Sequence, residues 1–242
     1  MSEIVKPYKK SDNSKKQQVA EMFDNISNKY DFLNHFLSLG IDKLWRKKAI
    51  KLLMNTDSKI ILDIATGTGD FAIEALKLNP TKVIGVDISK GMLDKGIEKI
   101  KRRKKTSIIK LQLADSENLP FDDSSFDAIT CGFGVRNFED LHKGLLEIKR
   151  VLKKNGMFTI LEFSKPKNFP IKQSFNFYSR FILPTFGKII SRDSSAYTYL
   201  PESVASFPEG EQFENILKKT GFINVRTKLL SGGIASIYYG SK

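Results

Sequence analysis

Three residue types are scarce in this 242-residue chain: there is one cysteine, one tryptophan and two histidines. With Cys131 alone no intrachain disulfide can form, which fits a reducing compartment. His35 and His142 stand in separate helical contexts with no Cys or His partner at ligand spacing, so no metal site is expected. No window approaches the run of about 18 apolar residues that a membrane span needs. The stretch from Met1 to Gln18 is polar and Lys-rich and lacks the apolar core of a secretory signal. Internal repeats and heptad arrays are absent too. Acid is short relative to base: 27 Asp+Glu against 40 Lys+Arg leave a net charge of +13. Such a surface attracts nucleic acid or anionic lipid, although Lys recurs throughout the chain and composition alone supplies much of the excess. These absences describe a cytoplasmic protein that would meet a hydrophobic substrate peripherally, at the inner face of a membrane.

What is present reads as an α/β protein. The first 14 residues are expected as a mobile tail. Lys15–Ser27 reads as a helix, with Val19, Met22, Phe23 and Ile26 spaced i, i+3, i+4, i+7. A second helix is expected over Asp42–Met54, with Asp42 as its N-cap. From Lys59 onward short apolar strands alternate with helices. The strands are Ile60–Ile64, Val83–Asp87, Ile108–Leu113, Phe126–Cys131 and Met157–Phe163; the helices are Phe71–Leu78, Gly91–Lys101 and Leu141–Leu152. That rhythm predicts βαβ units and a parallel sheet covered on both faces. Glu209–Thr220 reads as a further helix ended by Gly221. Phe222–Leu229 and Ile234–Tyr239 flank Ser231-Gly232-Gly233 and read as an antiparallel hairpin. The expected fold is a Rossmann-like doubly wound sheet of seven strands, mostly parallel, with an antiparallel C-terminal hairpin and an N-terminal helical cap. It forms one domain over residues 15–242: cap 15–56, cofactor-binding core 57–167, aromatic insertion or lid 168–200, and the C-terminal end of the sheet 201–242.

Three constellations carry chemistry. Asp63-Ile64-Ala65-Thr66-Gly67-Thr68-Gly69 closes the first strand, and small residues there let the backbone approach a ligand closely. Taken alone, Gly67-x-Gly69-x-x-Ala72 also satisfies a dinucleotide fingerprint. Val86-Asp87-Ile88 ends the second strand, where a carboxylate can accept hydrogen bonds from both ribose hydroxyls of an adenosine; an N-cap role for Asp87 is the plainer alternative. Asp115-Ser116-Glu117-Asn118-Leu119-Pro120-Phe121 follows the third strand, where an acid can bind an adenine amino group between Leu119 and Phe121. After residue 160 there is no second Gly-rich strand–turn–helix, so one adenosine ligand is favoured over a dinucleotide.

Together these elements resemble class I S-adenosylmethionine methyltransferases. Further motifs narrow the likeness. Phe23-Asp24-x-Ile26-Ser27-x-x-Tyr30-Asp31-x-Leu33-Asn34 precedes Gly40-Ile41-Asp42-x-x-Trp45-Arg46, and later come Gly132-Phe133-Gly134-Val135-Arg136-Asn137 and Phe207-Pro208. From about Val19 to the C-terminus the chain is similar to the ubiquinone/menaquinone biosynthesis C-methyltransferase family. It departs from the ubiquinone-side pattern in Ala65-Thr66-Gly67-Thr68-Gly69-Asp70 and in Gly132, which stands where a Ser is usual. Both departures lean toward the menaquinone branch. The resemblance implies S-adenosylmethionine as the only cofactor, held by Asp63, Gly67, Thr68, Gly69, Asp87, Ile88, Asp115, Ser116 and Cys131. It implies methyl transfer to a ring carbon of a prenylated quinol, demethylmenaquinol first and the ubiquinone-branch precursor second. Another lipid or a small phenol is the remaining acceptor class.

Carbon methylation ortho to a hydroxyl needs the phenol to lose its proton, hence a base or a cation that lowers its pKa. Arg136 is the candidate cation, Tyr30 and Asn137 the candidates to bind quinol oxygens, and Asp31 the candidate to orient Arg136. A structural ion pair at Arg136 and simple packing of Tyr30 are the competing readings. Cys131, at a strand end, has nothing nearby to activate it as a nucleophile. Phe175, Phe177, Tyr178, Phe181, Ile182, Phe186, Ile189 and Ile190 form an aromatic segment that can pack on the sheet, receive a prenyl tail as a lid, or pair two copies in a homodimer. Flanking Lys172, Arg180, Lys188 and Arg192 suit an anionic membrane surface. An RNA-binding use of the same fold rests on the run Lys99–Lys105, which has no interleaved aromatic for base stacking and ends a helix where cations complement the dipole. No specific nucleic-acid partner is expected.

Overall fold

The computed structural model describes residues 5–31, 38, 40–54, 57–182 and 195–242. His35, Phe186, Lys188, Ile189, Ile190 and Arg192 lie outside the described residues. The sheet runs β3-β2-β1-β4-β5-β7-β6. Its strands are β1 (Ile60–Ile64), β2 (Lys82–Asp87), β3 (Ile109–Leu113), β4 (Phe126–Gly132), β5 (Leu152–Phe163), β6 (Ile223–Leu230) and β7 (Ala235–Ser241). The first five pair in parallel, and β7 is antiparallel to both β5 and β6. The order reverses between β1 and β4, and ligands of such sheets bind at that point, outside the carboxyl ends of the strands. The expected fold class is therefore the one observed.

Each face of the sheet is covered because its strands are apolar on both sides. One face packs on α2 (Ile41–Lys51), α3 (Asp70–Glu74) and α4 (Lys90–Arg102), with Trp45, Ile50, Phe71, Leu93 and Ile100 in its core. The other packs on α5 (Leu141–Val151) and α8 (Glu211–Lys219), with Leu145, Ile148, Phe213 and Leu217. A third apolar cluster joins α1 (Lys15–Ile26) to α7 (Ser195–Ser206) through Val19, Met22, Ile26, Ala196 and Tyr199. Helix α1 starts where it does because Ser14 and Gln17 form a reciprocal capping box.

Several sequence expectations shift. Asp42 is not an N-cap: Gly40, at φ 73°, holds that position. Asp42 is instead buried in the first turn of α2, bound to Arg46 Nη1 at 2.5 Å and to Ser38 Oγ at 2.6 Å. Segment 5–14, expected as a mobile tail, is tied down. Val5 and Tyr8 pack against the α1–α7 cluster, and the Tyr8 N–H donates to Gln18 Oε1 at 2.9 Å. The helix after β1 has only one regular stretch, Asp70–Glu74, before a tighter 75–78 turn. The aromatic segment begins with helix α6 (Ile171–Phe177) and one wide turn over Tyr178–Ile182. The hairpin turn is as read, with Gly232 at φ 66° and Gly233 at φ 97°.

Helix α4 lies close on the turn after β1 because residue 96 has no side chain. A Cβ there would stand 2.5 Å from Leu111 Cδ1 and 3.1 Å from the Thr68 backbone carbon. Gly96→Val is expected to cost about 1–3 kcal/mol through overpacking, read from the urea midpoint. An unchanged midpoint would show that α4 can move off the turn freely.

Candidate active site

The turn after β1 is fixed from both sides. Ala65 takes φ 51° and Gly67 φ 55°, and the left-handed region costs any residue with a Cβ. Asp63 is fully buried below this turn, with one carboxylate oxygen accepting from Thr66 Oγ1 and the other from Thr130 Oγ1, each at 2.6 Å. Burial pushes its pKa up to about 6 against the pull of those hydrogen bonds. Asp87 closes the turn from the β2 side: Oδ2 accepts from the Gly67 N–H at 2.8 Å and Oδ1 from the Ser89 N–H at 2.9 Å. Its pKa is also raised to about 6, again by burial.

Above the turn runs a narrow cleft, with about 60 Å³ of open space, lined by Gly67, Asp87, Ile88, Asp115 and Ser116. Five of the nine residues expected at the cofactor thus share one surface. The other four stand behind it. Asp63 is enclosed as described. Cys131 is fully buried on β4, where desolvation pushes its thiol pKa up. Thr68 turns its hydroxyl away to Asp31 and Lys99, and Gly69, at φ 82°, starts α3. Unforeseen residues complete the cleft. Lys16, from α1, spans it to Asp115 Oδ2 at 2.5 Å and Glu117 Oε2 at 3.1 Å. Phe133 and Gly134 form the wall from β4; a Cβ on Gly134 would meet Ala65 Cβ at 2.5 Å. The Gly132-Phe133-Gly134 run held that signal, whereas nothing in the local pattern marked Lys16.

Beside the cleft lies a cavity of about 1040 Å³, mostly apolar, lined by α1, α2, α6 and α7. Phe23, Tyr30 and Phe133 line both spaces. Arg136 lines the large cavity with its side chain 7% exposed. Its Nη1 donates to Glu162 Oε1 at 2.8 Å and to the Phe133 carbonyl at 2.5 Å, and its guanidinium lies 5.5 Å from the centre of the Phe163 ring. Arg136 Nε is buried with no partner among the described residues. Asp31, expected to orient Arg136, does not do so: it pairs with Lys99 at 2.5 Å on the far side of the turn. Glu162 holds that place, fully buried in β5. The sequence shows this residue as an acid inside the apolar run Ile160–Phe163.

Asn137 faces the narrow cleft rather than the large cavity. Its amide is occupied, accepting from the Tyr199 hydroxyl at 3.1 Å and donating to the Phe133 carbonyl at 3.3 Å. Tyr199, from α7, lines the large cavity and was not foreseen. Tyr30 sits edge-on to Phe23 at 6.0 Å, and burial pushes its hydroxyl pKa up to about 12, which makes it a donor rather than a base near neutrality. Among the described residues no group of three metal-ligating side chains occurs.

Residues 11–242 match the ubiE/COQ5 methyltransferase family. The demethylmenaquinone methyltransferase of Bacteroides fragilis is 49% identical over 241 residues, 99% of this chain and 98% of its own. The ubiquinone/menaquinone biosynthesis C-methyltransferase UbiE of Geotalea uraniireducens is 44% identical over 94% of this chain and 97% of its own. Among solved structures, a SAM-dependent methyltransferase from Aquifex aeolicus superposes with a TM-score of 0.57 at 19% identity, over 81% of this chain and 88% of its own. Phosphoethanolamine N-methyltransferase 2 of Haemonchus contortus, solved with S-adenosyl-L-methionine, gives 0.58 at 18% identity over 88% of this chain and 59% of its own.

Burial of Asp63 and Asp87 has a sign that can be checked. Their folded pKa values, about 6, lie above the ordinary 3.8. The folded state therefore holds more protons than the unfolded one between those values, and stability falls as pH rises through that window. Asp87→Asn removes one share of that fall. Its melting temperature relative to wild type is expected to climb from pH 4 to pH 7 while affinity for S-adenosylhomocysteine drops. A pH-independent difference in melting temperature would refute the burial argument for Asp87.

Proposed function

The chain belongs to the ubiE/COQ5 methyltransferase family, and we propose that it transfers a methyl group from S-adenosylmethionine to a ring carbon of demethylmenaquinol. The observation that carries this reading is the junction of the two spaces: a cleft with an acid at the end of β2 meets a large apolar cavity across Phe23, Tyr30 and Phe133, with one buried guanidinium beyond it. Relatives named demethylmenaquinone methyltransferase favour the menaquinone branch, as do the Thr66 and Gly132 departures. The UbiE-named relatives keep the ubiquinone-branch precursor as the second acceptor.

The residues present fit the methyl donor. Glycine suits position 67, where φ is positive and a Cβ would stand 3.2 Å from Met92 Cε. Asp87 gives each oxygen to one backbone N–H and retains acceptor capacity for ribose hydroxyls. Asp115 can take an adenine amino group once Lys16 lets go of it. When bound, S-adenosylmethionine supplies an electrophilic methyl on sulfur. The chain's own work is then positional and electrostatic. Phe23, Tyr30 and Phe133 form the water-excluding wall between donor and acceptor. Arg136 stabilises negative charge as a quinol hydroxyl gives its proton to water, that charge makes the neighbouring ring carbon nucleophilic, and after methyl transfer the same carbon gives up its hydrogen as a proton to water to restore the aromatic ring. The Tyr30 hydroxyl, protonated near neutrality, donates to a quinol oxygen.

Access for a prenylated acceptor would come at the surface near α6. Phe169, Phe177 and Phe181 are exposed there, Phe169 at 80%, beside Lys167 and Lys172. We place this face against an anionic bilayer, peripherally; no helix among the described residues is long and apolar enough to cross one.

Methyl transfer from radiolabelled S-adenosylmethionine, with reduced demethylmenaquinone and the demethylated ubiquinol precursor offered in parallel, tests the reading. Label is expected in the menaquinol product; label in neither lipid would overturn the acceptor assignment. Arg136→Ala is expected to lower kcat by about 10²–10³-fold with donor affinity unchanged. Wild-type turnover in that variant would remove Arg136 from the chemistry.

A further inference from the structure

An acid in the buried end of a strand is costly unless something compensates it. Glu162 is such an acid: it is fully buried, and it does not line the large cavity. Both of its oxygens are aimed at one neighbour. Oε1 takes the Arg136 Nη1 hydrogen bond at 2.8 Å and the Phe163 N–H at 2.9 Å, and Oε2 lies 3.4 Å from the Arg136 N–H. Arg136 in turn lines the cavity, clamped between this carboxylate, the Phe133 carbonyl and the face of Phe163.

Two other cations lie nearby. Lys165 is the other charged residue lining the cavity among the described residues; it is exposed, and its ammonium donates to the Ala205 carbonyl at 3.0 Å. Lys15 approaches Arg136 from outside the cavity, donating to the Arg136 and Phe138 carbonyls at 3.0 and 2.7 Å. Inside the cavity wall the guanidinium and Glu162 form a neutral pair.

We propose that Glu162 is a positioning and specificity residue: it fixes Arg136 and cancels its charge, so that the cavity takes a neutral aromatic ring and turns away an anionic one. This rests on the acceptor role given to the cavity under the proposed function. The physical reason is the low dielectric. A lone guanidinium among aromatic side chains would draw any carboxylate-bearing ring strongly, because charge-assisted pairs gain strength where water is excluded. With Glu162 in place, an incoming carboxylate meets a guanidinium that is already paired and an acid that repels it. A quinol hydroxyl is neutral on arrival and meets neither penalty. Arg136 keeps donors free to stabilise charge that develops only during reaction.

Binding of two probes built on the same ring tests this without requiring turnover. The full-length protein would be titrated at pH 7 with 2-naphthol, which is neutral, and with 2-naphthoate, which is anionic. Wild type is expected to prefer 2-naphthol. Glu162→Gln is expected to shift the ratio of affinities toward 2-naphthoate by about tenfold or more, because the guanidinium is no longer compensated. An unchanged ratio in E162Q, or wild type binding neither probe, would overturn the proposal. If E162Q does not fold, the double variant R136Q/E162Q decides. It leaves no unpaired charge at this place in the cavity wall, so it is expected to fold and to show no gain for 2-naphthoate; a double variant as unstable as E162Q would mean that Glu162 is only structural. A wrong acceptor assignment would show instead as missing methyl transfer by wild type, with the probe ratios still following the charge at 162.

Discussion

The site depends on one buried carboxylate. Asp63 joins the end of β1 to the turn that follows it, through Thr66, and to the neighbouring strand β4, through Thr130. Those two hydrogen bonds hold the turn at the β1/β4 junction, where the order of the parallel strands reverses. Asp87 completes the arrangement from β2 by accepting the Gly67 N–H. Three strands thus converge on four residues of backbone. Both acids are held at the cost of desolvation, which is why each titrates near 6 rather than near 4. The fold accepts two destabilised carboxylates in order to fix a positive-φ turn that packing alone would not specify.

The two cavities divide the chemistry by polarity. The cleft over the turn is narrow and carries acids at its edges. The space beside it is large and apolar, with the buried guanidinium of Arg136 balanced from behind by Glu162. Neither space is complete without the α-helical cap. Helix α1 supplies Lys16 to the cleft and Met22 and Ile26 to the cavity, while Phe23 borders both. Tyr199 of α7 reaches back to Asn137, tying the cap to the loop after β4. The cap therefore supplies much of the lining of both spaces, while the sheet supplies a platform common to proteins that share little sequence with it.

Much of this was legible in the residues themselves. The alternation of apolar strands with amphipathic helices located the five parallel strands and the Gly-rich turn at 231–233 the last two, and Gly67, Asp87 and Asp115 fell on one surface because strand ends of a parallel sheet lie side by side. Local pattern says less about pairs distant in sequence. Asp31 and Arg136 were matched because both lie in recognisable motifs, yet Asp31 pairs with Lys99, and Arg136 with a residue 26 positions away. Lys16 reaches across 99 residues to Asp115. Long-range ion pairs leave no periodic trace, and each end looks like an ordinary charge until the chain is folded. Asp42 failed as a cap for a related reason. A glycine in the left-handed region can start a helix with no side-chain hydrogen bond, which freed Asp42 to bind Arg46 instead.

The wall shared by the two cavities has a consequence for timing. Phe23 belongs to a helix that also holds Lys16 across the donor cleft, and that same helix, with Met22 and Ile26, closes one side of the acceptor space. With methyl donor and acceptor seated as proposed, a motion of α1 that frees one would also loosen the wall around the other. Exchange at the two spaces is then not independent: whichever molecule leaves first does so through a change that lowers the grip on the second. Such coupling makes an ordered release the natural behaviour, with the movement of a single helix setting the pace of both departures.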